Sequence, residues 1–218
     1  MAARNRFPPF RIAALAVAAA AASTISGPAE GATPSPSPVP PAALLPAEAI
    51  PAPPAPRAGF DVATALSTLD AKDDGGCTDV VHGRLLRGPA TGQGFQTAVP
   101  GGQVSELVAR TPDPPDLAAW TAKLRQCASV TVDDQDLPTV STLTTGTAPA
   151  VPGAKTLSYQ QVLTLPGQPA ELPGLRLRTV AVAADDVLVV LRDAGTTDLD
   201  LDTLAVAAWQ HAAARLGR

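Results

Sequence analysis

The sequence is poor in the residues that most active sites and nucleic-acid interfaces use. Aromatic residues make up 3% of its 218 residues, and it contains only two histidines, two cysteines and three lysines. Its formal net charge is −4 and it has no run of basic residues. Nucleic acid and anionic lipid surfaces both require clustered Lys and Arg. We therefore expect no nucleic-acid partner.

Motifs for catalysis and cofactor binding are also missing. The sequence has neither a G-x-S-x-G nor an S-x-x-K nucleophile motif. Its Gly-rich segments do not have the order of a phosphate-binding loop. A zinc site takes three or four nitrogen or sulfur ligands, more than two isolated histidines supply. We expect no enzyme activity, no cofactor and no metal.

The first residues have the order of a secretory signal. Arg4, Arg6 and Arg11 precede an uninterrupted apolar run, 12–22, and small residues follow it. The run is about half the ~20 residues that a membrane-spanning helix needs, so an uncleaved anchor is the weaker interpretation. We predict a signal peptide over residues 1–26. After its cleavage we expect a secreted or cell-wall-associated protein without a stable transmembrane span.

Two further segments follow the signal. Residues 27–58 are rich in Pro and Ala and nearly free of charge. Proline fixes φ and removes a backbone donor, so the pattern predicts a disordered, extended tether. Residues 59–218 are long enough for one domain with its own core.

The two cysteines, Cys77 and Cys127, lie within this domain. They have no C-x-x-C spacing, and no neighbouring His or Lys would lower a thiol pKa. In an exported chain such a pair predicts a structural disulfide. It would close a loop of about 50 residues.

The order of elements predicts an α+β fold. Short β-rich runs separated by Gly and Pro indicate strands, and Ala184-Asp185-Asp186 marks a hairpin turn. Several strands with short turns favour antiparallel pairing. We expect an antiparallel sheet of about five to six strands, with helices packed mainly on one face.

Three helices are expected around that sheet. The first begins at Asp61 and extends to Leu69. The second follows Asp113-Pro114-Pro115-Asp116, with Asp113 as its N-cap. The third is a long C-terminal helix, capped by Asp200 or Asp202. Its buried stripe is Leu201, Leu204, Ala205, Ala208, Ala212 and Leu216, and Trp209 flanks it.

Trp120, Trp209 and Tyr159 are the candidate ligand-groove residues. Both tryptophans have helical core spacing, so anchoring the core is the simpler interpretation, and a ligand platform is the alternative. His82 and His211 are the only histidines, and we interpret both as surface or satisfied side chains.

Three segments carry a family resemblance. They contain WTAKLRQCASVTV, then the hairpin LRLRTVAVAADDVLVVLRDAG, then the final helix TLAVAAWQHAAARL. A helix with a central Trp (Trp120), a "QC" pair (Gln126 and Cys127) and a following strand (Val130 and Val132) resemble the PknH-like extracellular sensor domain of actinobacteria. The resemblance implies envelope or ligand sensing with no known reaction. Some members carry two disulfides, whereas this chain can form only Cys77–Cys127, and no kinase domain or convincing transmembrane helix precedes the domain. We therefore expect a free-standing exported version with one disulfide.

Three functions compete at this point. The first is a non-enzymatic, sensor-like module that binds an unknown envelope ligand or protein. The second is a carrier for a lipid or lipoglycan, which would need a cavity of several hundred Å3. The third is an envelope hydrolase, which would need His82 or His211 within hydrogen-bond reach of a carboxylate or hydroxyl.

Overall fold

A single eight-stranded antiparallel sheet dominates the structure. The computed structural model describes residues 37–51, 55–62, 76–86, 88–134, 137–169 and 171–218. The strand order is β1-β2-β3-β8-β7-β6-β5-β4. The strands are β1 (Arg57–Asp61), β2 (Thr91–Val99), β3 (Gly102–Arg110), β4 (Ser129–Asp134), β5 (Leu137–Thr145), β6 (Lys155–Thr164), β7 (Leu175–Ala184) and β8 (Val187–Gly195).

Three α-helices whose bounds fall within the described residues lie against this sheet. The first, α1 (Thr78–Val81), is a single turn; α2 (Leu117–Gln126) and α3 (Leu201–Arg215) are longer. Asp200 caps α3, because its carboxylate accepts a hydrogen bond from Thr203 N at 3.0 Å. The predicted stripe of α3 is confirmed from Leu201 to Ala212, and Trp209 is buried with it. Among the residues that the structure describes, no helix is both long and apolar enough to cross a membrane.

The predicted fold class is wrong. The sheet has eight strands instead of five to six, and it outweighs the helices, which do not collect on one face. Val180 and Val182 of β7 pack in the core beneath α3, whereas Ala181 and Ala183 pack in the core beneath α2. Side chains alternate between the two faces of a strand, so α2 and α3 lie on opposite sides of the sheet. The near-continuous apolar runs of β7 and β8 are the signature of strands buried on both faces.

The N-cap of α2 is Asp116, not Asp113. The Asp116 carboxylate accepts hydrogen bonds from Ala118 N and Ala119 N at 3.0 and 3.2 Å. A residue that precedes proline avoids the helical region, so neither Asp113 nor Pro114 starts the helix. The predicted hairpin is confirmed, with Asp185 in its turn at φ 50°.

Residues 37–51, which we call the strap, pack on the α3 face of the sheet. Val39, Ala43, Leu45 and Ile50 are all buried there, and two 3-10 turns, Pro41–Ala43 and Ala47–Ala49, shape the segment. The range 27–58 predicted as a tether includes this segment, so its described part does not fit a disordered tether. Proline fixes the backbone of the strap, and the apolar side chains between the prolines supply its contacts. The signal peptide predicted at 1–26, and residues 63–69 of the first predicted helix, lie outside the described residues.

Polar side chains of the sheet and of α3 hold the strap in place. The buried Glu106 carboxylate accepts from Leu45 N at 2.9 and 3.2 Å. The Arg57 guanidinium donates to Leu45 O at 2.5 Å and to Pro46 O at 2.9 Å. His211 Nε2 lies 2.9 Å from Ala42 O. Strap attachment therefore depends on a buried acid as well as on apolar packing.

The disulfide between Cys77 and Cys127 is confirmed. It connects the residue before α1 to the end of α2, with Cα atoms 5.5 Å apart. The disulfide thereby fixes α1 and α2 to each other on this face of the sheet.

A first prediction concerns the pH dependence of stability. Burial raises the pKa of Glu106 to about 7 from its ordinary 4.5, although the Leu45 N–H and the charge of Arg57 oppose the rise. The folded state then holds the proton more tightly than the unfolded state. This contribution is full below pH 4.5 and is lost as the pH rises to about 7. We expect the free energy of unfolding to fall by about 3 kcal/mol across that interval.

Urea unfolding at a series of pH values tests this expectation in the unmodified chain and in Glu106→Gln. The other titrating groups are common to both proteins, so the difference between their curves isolates Glu106. Parallel curves for the two proteins would show that the carboxyl titrates with an ordinary pKa.

A second prediction concerns the disulfide. Replacing both cysteines, Cys77→Ala with Cys127→Ala, should lower the free energy of unfolding by about 4 kcal/mol, because the unfolded chain regains the freedom of a 50-residue loop. Chemical denaturation measures the change. Reductant should destabilise the unmodified chain and leave the double variant unaffected; equal stability of the oxidised and reduced chain would contradict the prediction.

Candidate functional site

A cavity of about 250 Å3 lies on the face of the sheet that carries α1. We call it the α1 pocket. Its apolar wall comes from the end of β1, the segment after α1, and strands β3 and β8. Its members are Phe60, Val62, Leu85, Leu86, Leu107 and Val190. Four polar side chains, His82, Arg84, Ser105 and Arg192, also line it.

Glycine in β2 lets the β1 side chains form this wall. Phe60 pairs with Gly94 in the ladder between the two strands. A Cβ atom at Gly94 would overlap the Phe60 ring, so only glycine lets that ring lie flat across β2. The alternation of glycine with larger residues in TGQGFQTAV therefore shapes the pocket.

The chain reverses direction at Gly83, directly after α1. Gly83 has a φ of +65°, a left-handed conformation that glycine adopts without strain. A Cβ atom there would overlap Arg192 Nη2. The absence of a side chain at Gly83 thus allows the Arg192 guanidinium to lie against the end of α1.

Arg192 is partly buried in the wall of the pocket. Its Nε donates to Thr179 Oγ1 at 3.1 Å, and its Nη2 donates to Tyr159 Oη at 3.5 Å. Both acceptors are neutral hydroxyls. Within the described ranges, Arg192 has no ion pair with a carboxylate.

The acids near the pocket are engaged elsewhere. Asp79 of α1 lies 4.0 Å from Arg84 Nη1 and 3.7 Å from Lys123 Nζ. Glu106 also lines the pocket, but its carboxylate bonds Leu45 N on the opposite face of the sheet. Only its main chain can therefore face the pocket. The other described polar residues that line the pocket, His82, Arg84, Ser105 and Arg192, include no carboxylate.

The structure does not bring the predicted groove residues together. Trp120 of α2 and Tyr159 of β6 are buried in the core on the α1 side, whereas Trp209 of α3 is buried in the core beneath the strap. The sheet separates the two tryptophans, and both anchor cores. Tyr159 contributes to the site indirectly, through its hydroxyl contact with Arg192.

The pocket residues were missed because they come from separate parts of the sequence. Phe60 comes from β1 and Leu107 from β3, whereas Leu85 and Leu86 follow α1. One signal was present: Arg192 is a cation that follows the apolar run VLVVL in β8. A charged residue next to a two-sided buried strand needs a polar partner or a site.

The two histidines lie on opposite faces of the sheet. His82 is exposed at the rim of the α1 pocket, and His211 lies beside the strap. The partner of His211 is a main-chain carbonyl, not a carboxylate or hydroxyl. Across the part of the chain that the structure describes, no group of three or more His, Cys, Asp or Glu side chains could hold a metal ion.

A second, wider concavity of about 520 Å3 lies between the strap, β1, β2 and α3. Arg57 and His211 line it, and both already contact main-chain carbonyls of the strap. The polar atoms of Arg57 and His211 are thus occupied by the strap, a segment of the chain itself. The α1 pocket is the better candidate for a ligand, because its cation Arg192 is partly buried and not bonded to the strap, whereas Arg215 of the wider concavity is exposed.

Comparison with known proteins does not assign the chain to a family. No protein-family model matches the chain, and no curated protein matches it. An X-ray structure of an uncharacterized protein from Mycobacterium smegmatis, an Rv0999 ortholog, is 14% identical, with 72% of this chain and 86% of that chain covered and a TM-score of 0.45. The extracellular domain of PknH from Mycobacterium tuberculosis is 15% identical, with 75% and 79% covered and a TM-score of 0.42. Both TM-scores lie below 0.5, so neither likeness carries an argument, and the family resemblance of the sequence stays a prediction.

Proposed function

We propose that this chain is a non-catalytic, sensor-like module outside the cytoplasm that binds a small, mainly apolar ligand in the α1 pocket. The observation that carries the proposal is the pocket itself: six apolar side chains with a few polar groups. Small-molecule sites have this composition, because apolar walls supply affinity and a few polar groups fix the orientation of the ligand.

The volume of the pocket limits the size of the ligand. A cavity of about 150 Å3 lined by apolar side chains binds benzene, which has six carbon atoms. By proportion, about 250 Å3 holds roughly ten non-hydrogen atoms. This favours a small organic molecule over a whole lipid.

The lipid-carrier alternative is correspondingly weaker. Enclosing acyl chains of a lipid or lipoglycan would need several hundred Å3 of apolar space. The α1 pocket is smaller than that, and the wider concavity on the other face is lined in part by Arg57, His211 and Arg215, which do not suit an acyl chain.

The placement of the histidines supports a non-catalytic role. A hydrolase based on histidine needs that side chain within about 3 Å of a carboxylate or hydroxyl. Among the described residues, neither His82 nor His211 has such a hydrogen bond. The binding function therefore needs fewer assumptions than catalysis.

The extracytoplasmic location rests on the disulfide and on the signal-like residues 1–26. Disulfides persist in oxidising compartments and are rare in the cytosol. The joining of Cys77 to Cys127 supports export in the same way as the sequence pattern does.

A third prediction tests ligand binding with 1-octanol, a neutral molecule of about nine non-hydrogen atoms, close to the number that the pocket volume allows. We expect saturation-transfer NMR to detect its binding to the full, oxidised chain. Val190→Phe should abolish that signal, because the larger ring fills the pocket. Leu165→Phe is the matched control: Leu165 is 49% exposed in the loop after β6, so an added ring there leaves the pocket open.

Leu107→Phe gives a second route to the same result, since Leu107 lines the pocket from β3. Thermal unfolding of each variant shows whether it is folded. Equal octanol binding by the unmodified chain and both pocket variants would place the ligand elsewhere, and an absence of binding to the unmodified chain would contradict the proposed function.

A further inference from the structure

The Arg192 guanidinium has unused hydrogen-bonding capacity in the wall of the α1 pocket. Arginine carries five N–H donors in a planar fork. Nε and Nη2 each donate to one hydroxyl, Thr179 Oγ1 and Tyr159 Oη. Nη1 has no hydrogen-bond acceptor among the described residues. Part of the fork is therefore free to bind another group.

No carboxylate among the described residues compensates the charge of Arg192, although the chain as a whole is acidic. Asp79 of α1 is shared by Arg84 and Lys123. Removing a charge from water is costly unless an opposite charge replaces the lost solvation. A ligand that enters the pocket and displaces water from Arg192 therefore binds more tightly when it brings that charge.

We infer that the α1 pocket binds a small apolar monocarboxylate, with its carboxylate on Arg192 and its tail against Phe60, Leu107 and Val190. This inference rests on the proposed function and adds the class of ligand to it. A guanidinium fork matches the planar geometry of a carboxylate and binds it through two parallel hydrogen bonds. The apolar walls provide the remainder of the site.

Octanoate and 1-octanol provide a test, since both have an eight-carbon chain and only octanoate is charged at neutral pH. We expect the unmodified chain to bind octanoate at least about tenfold more tightly, in keeping with one charge-assisted contact in a partly buried site. Isothermal titration calorimetry on the full, oxidised chain measures both affinities.

Variants of Arg192 separate the contribution of its charge to ligand affinity from that of the apolar walls. Arg192→Met should bring the octanoate and octanol affinities within about twofold of each other, because methionine removes the charge and retains apolar bulk. Arg192→Lys should restore only part of the preference, since an ammonium does not form the planar fork. Arg176→Met is the matched control, because Arg176 is exposed on β7 and does not line the pocket.

Gly83→Ala provides an independent variant that retains the arginine at position 192 but moves its side chain. An added Cβ would displace the guanidinium, so octanoate affinity should fall several-fold. Gly167→Ala is its control: Gly167 also has a positive φ, +74°, but an added Cβ meets no atom within 4 Å. Both variants carry the same kind of backbone strain, and only the first disturbs Arg192.

The possible failures can be told apart. If octanol binds in the pocket and octanoate binds no more tightly, or if Arg192→Met keeps the preference, the inference about the carboxylate is overturned and the proposed binding function remains. If neither molecule binds the unmodified chain, the proposed function fails together with the inference.

Discussion

Strands β7 and β8 are buried on both of their faces, and this constraint determines what surrounds them. Val180, Val182 and Val189 need cover on one side, and Ala181 and Leu188 need it on the other. All five side chains are at most 1% exposed. Apolar burial is the largest favourable term in folding, so a sheet with two apolar faces requires a layer on each.

The two layers are built differently. On one side, the fifteen-residue helix α3 lies over the sheet and the strap extends the cover. On the other side, α1 and α2 are shorter, and the disulfide joins them. The chain turns back at Gly83 after a single helical turn. The space over β1, β3 and β8 is then only partly filled, and the α1 pocket is the result.

The elements that depend on local pattern could be predicted from the sequence. The β7–β8 hairpin follows from its Asp185-Asp186 turn, and α3 follows from its apolar stripe and its Asp200 cap. The pairing of Cys77 with Cys127 needs only the count of cysteines and an exported chain.

Features that depend on distant contacts could not be predicted in this way. Strand β1 is only RAGFD, with a glycine and two charges, and becomes a strand because β2 pairs with it. The strap has the sequence of a Pro-rich linker. It is held on the sheet by Glu106, 61 residues after Leu45, whose carboxylate accepts a hydrogen bond from the Leu45 N–H. The pocket combines four separate segments, so no short window of sequence contains its pattern.

Glu106 and Arg192 show how the sheet keeps charged side chains on its two faces apart. In the β3–β8 ladder Glu106 is opposite Leu191, and Ser105 is opposite Arg192. Glu106 and Arg192 therefore lie close in the sheet, but their side chains point to opposite faces and cannot neutralise each other.

The acid is satisfied on its own side by the strap backbone and by nearby Arg57. The cation on the other side has only hydroxyl partners among the described residues. The same alternation that places the acid under the strap thus leaves a cation in the α1 pocket, where a ligand can supply the missing charge.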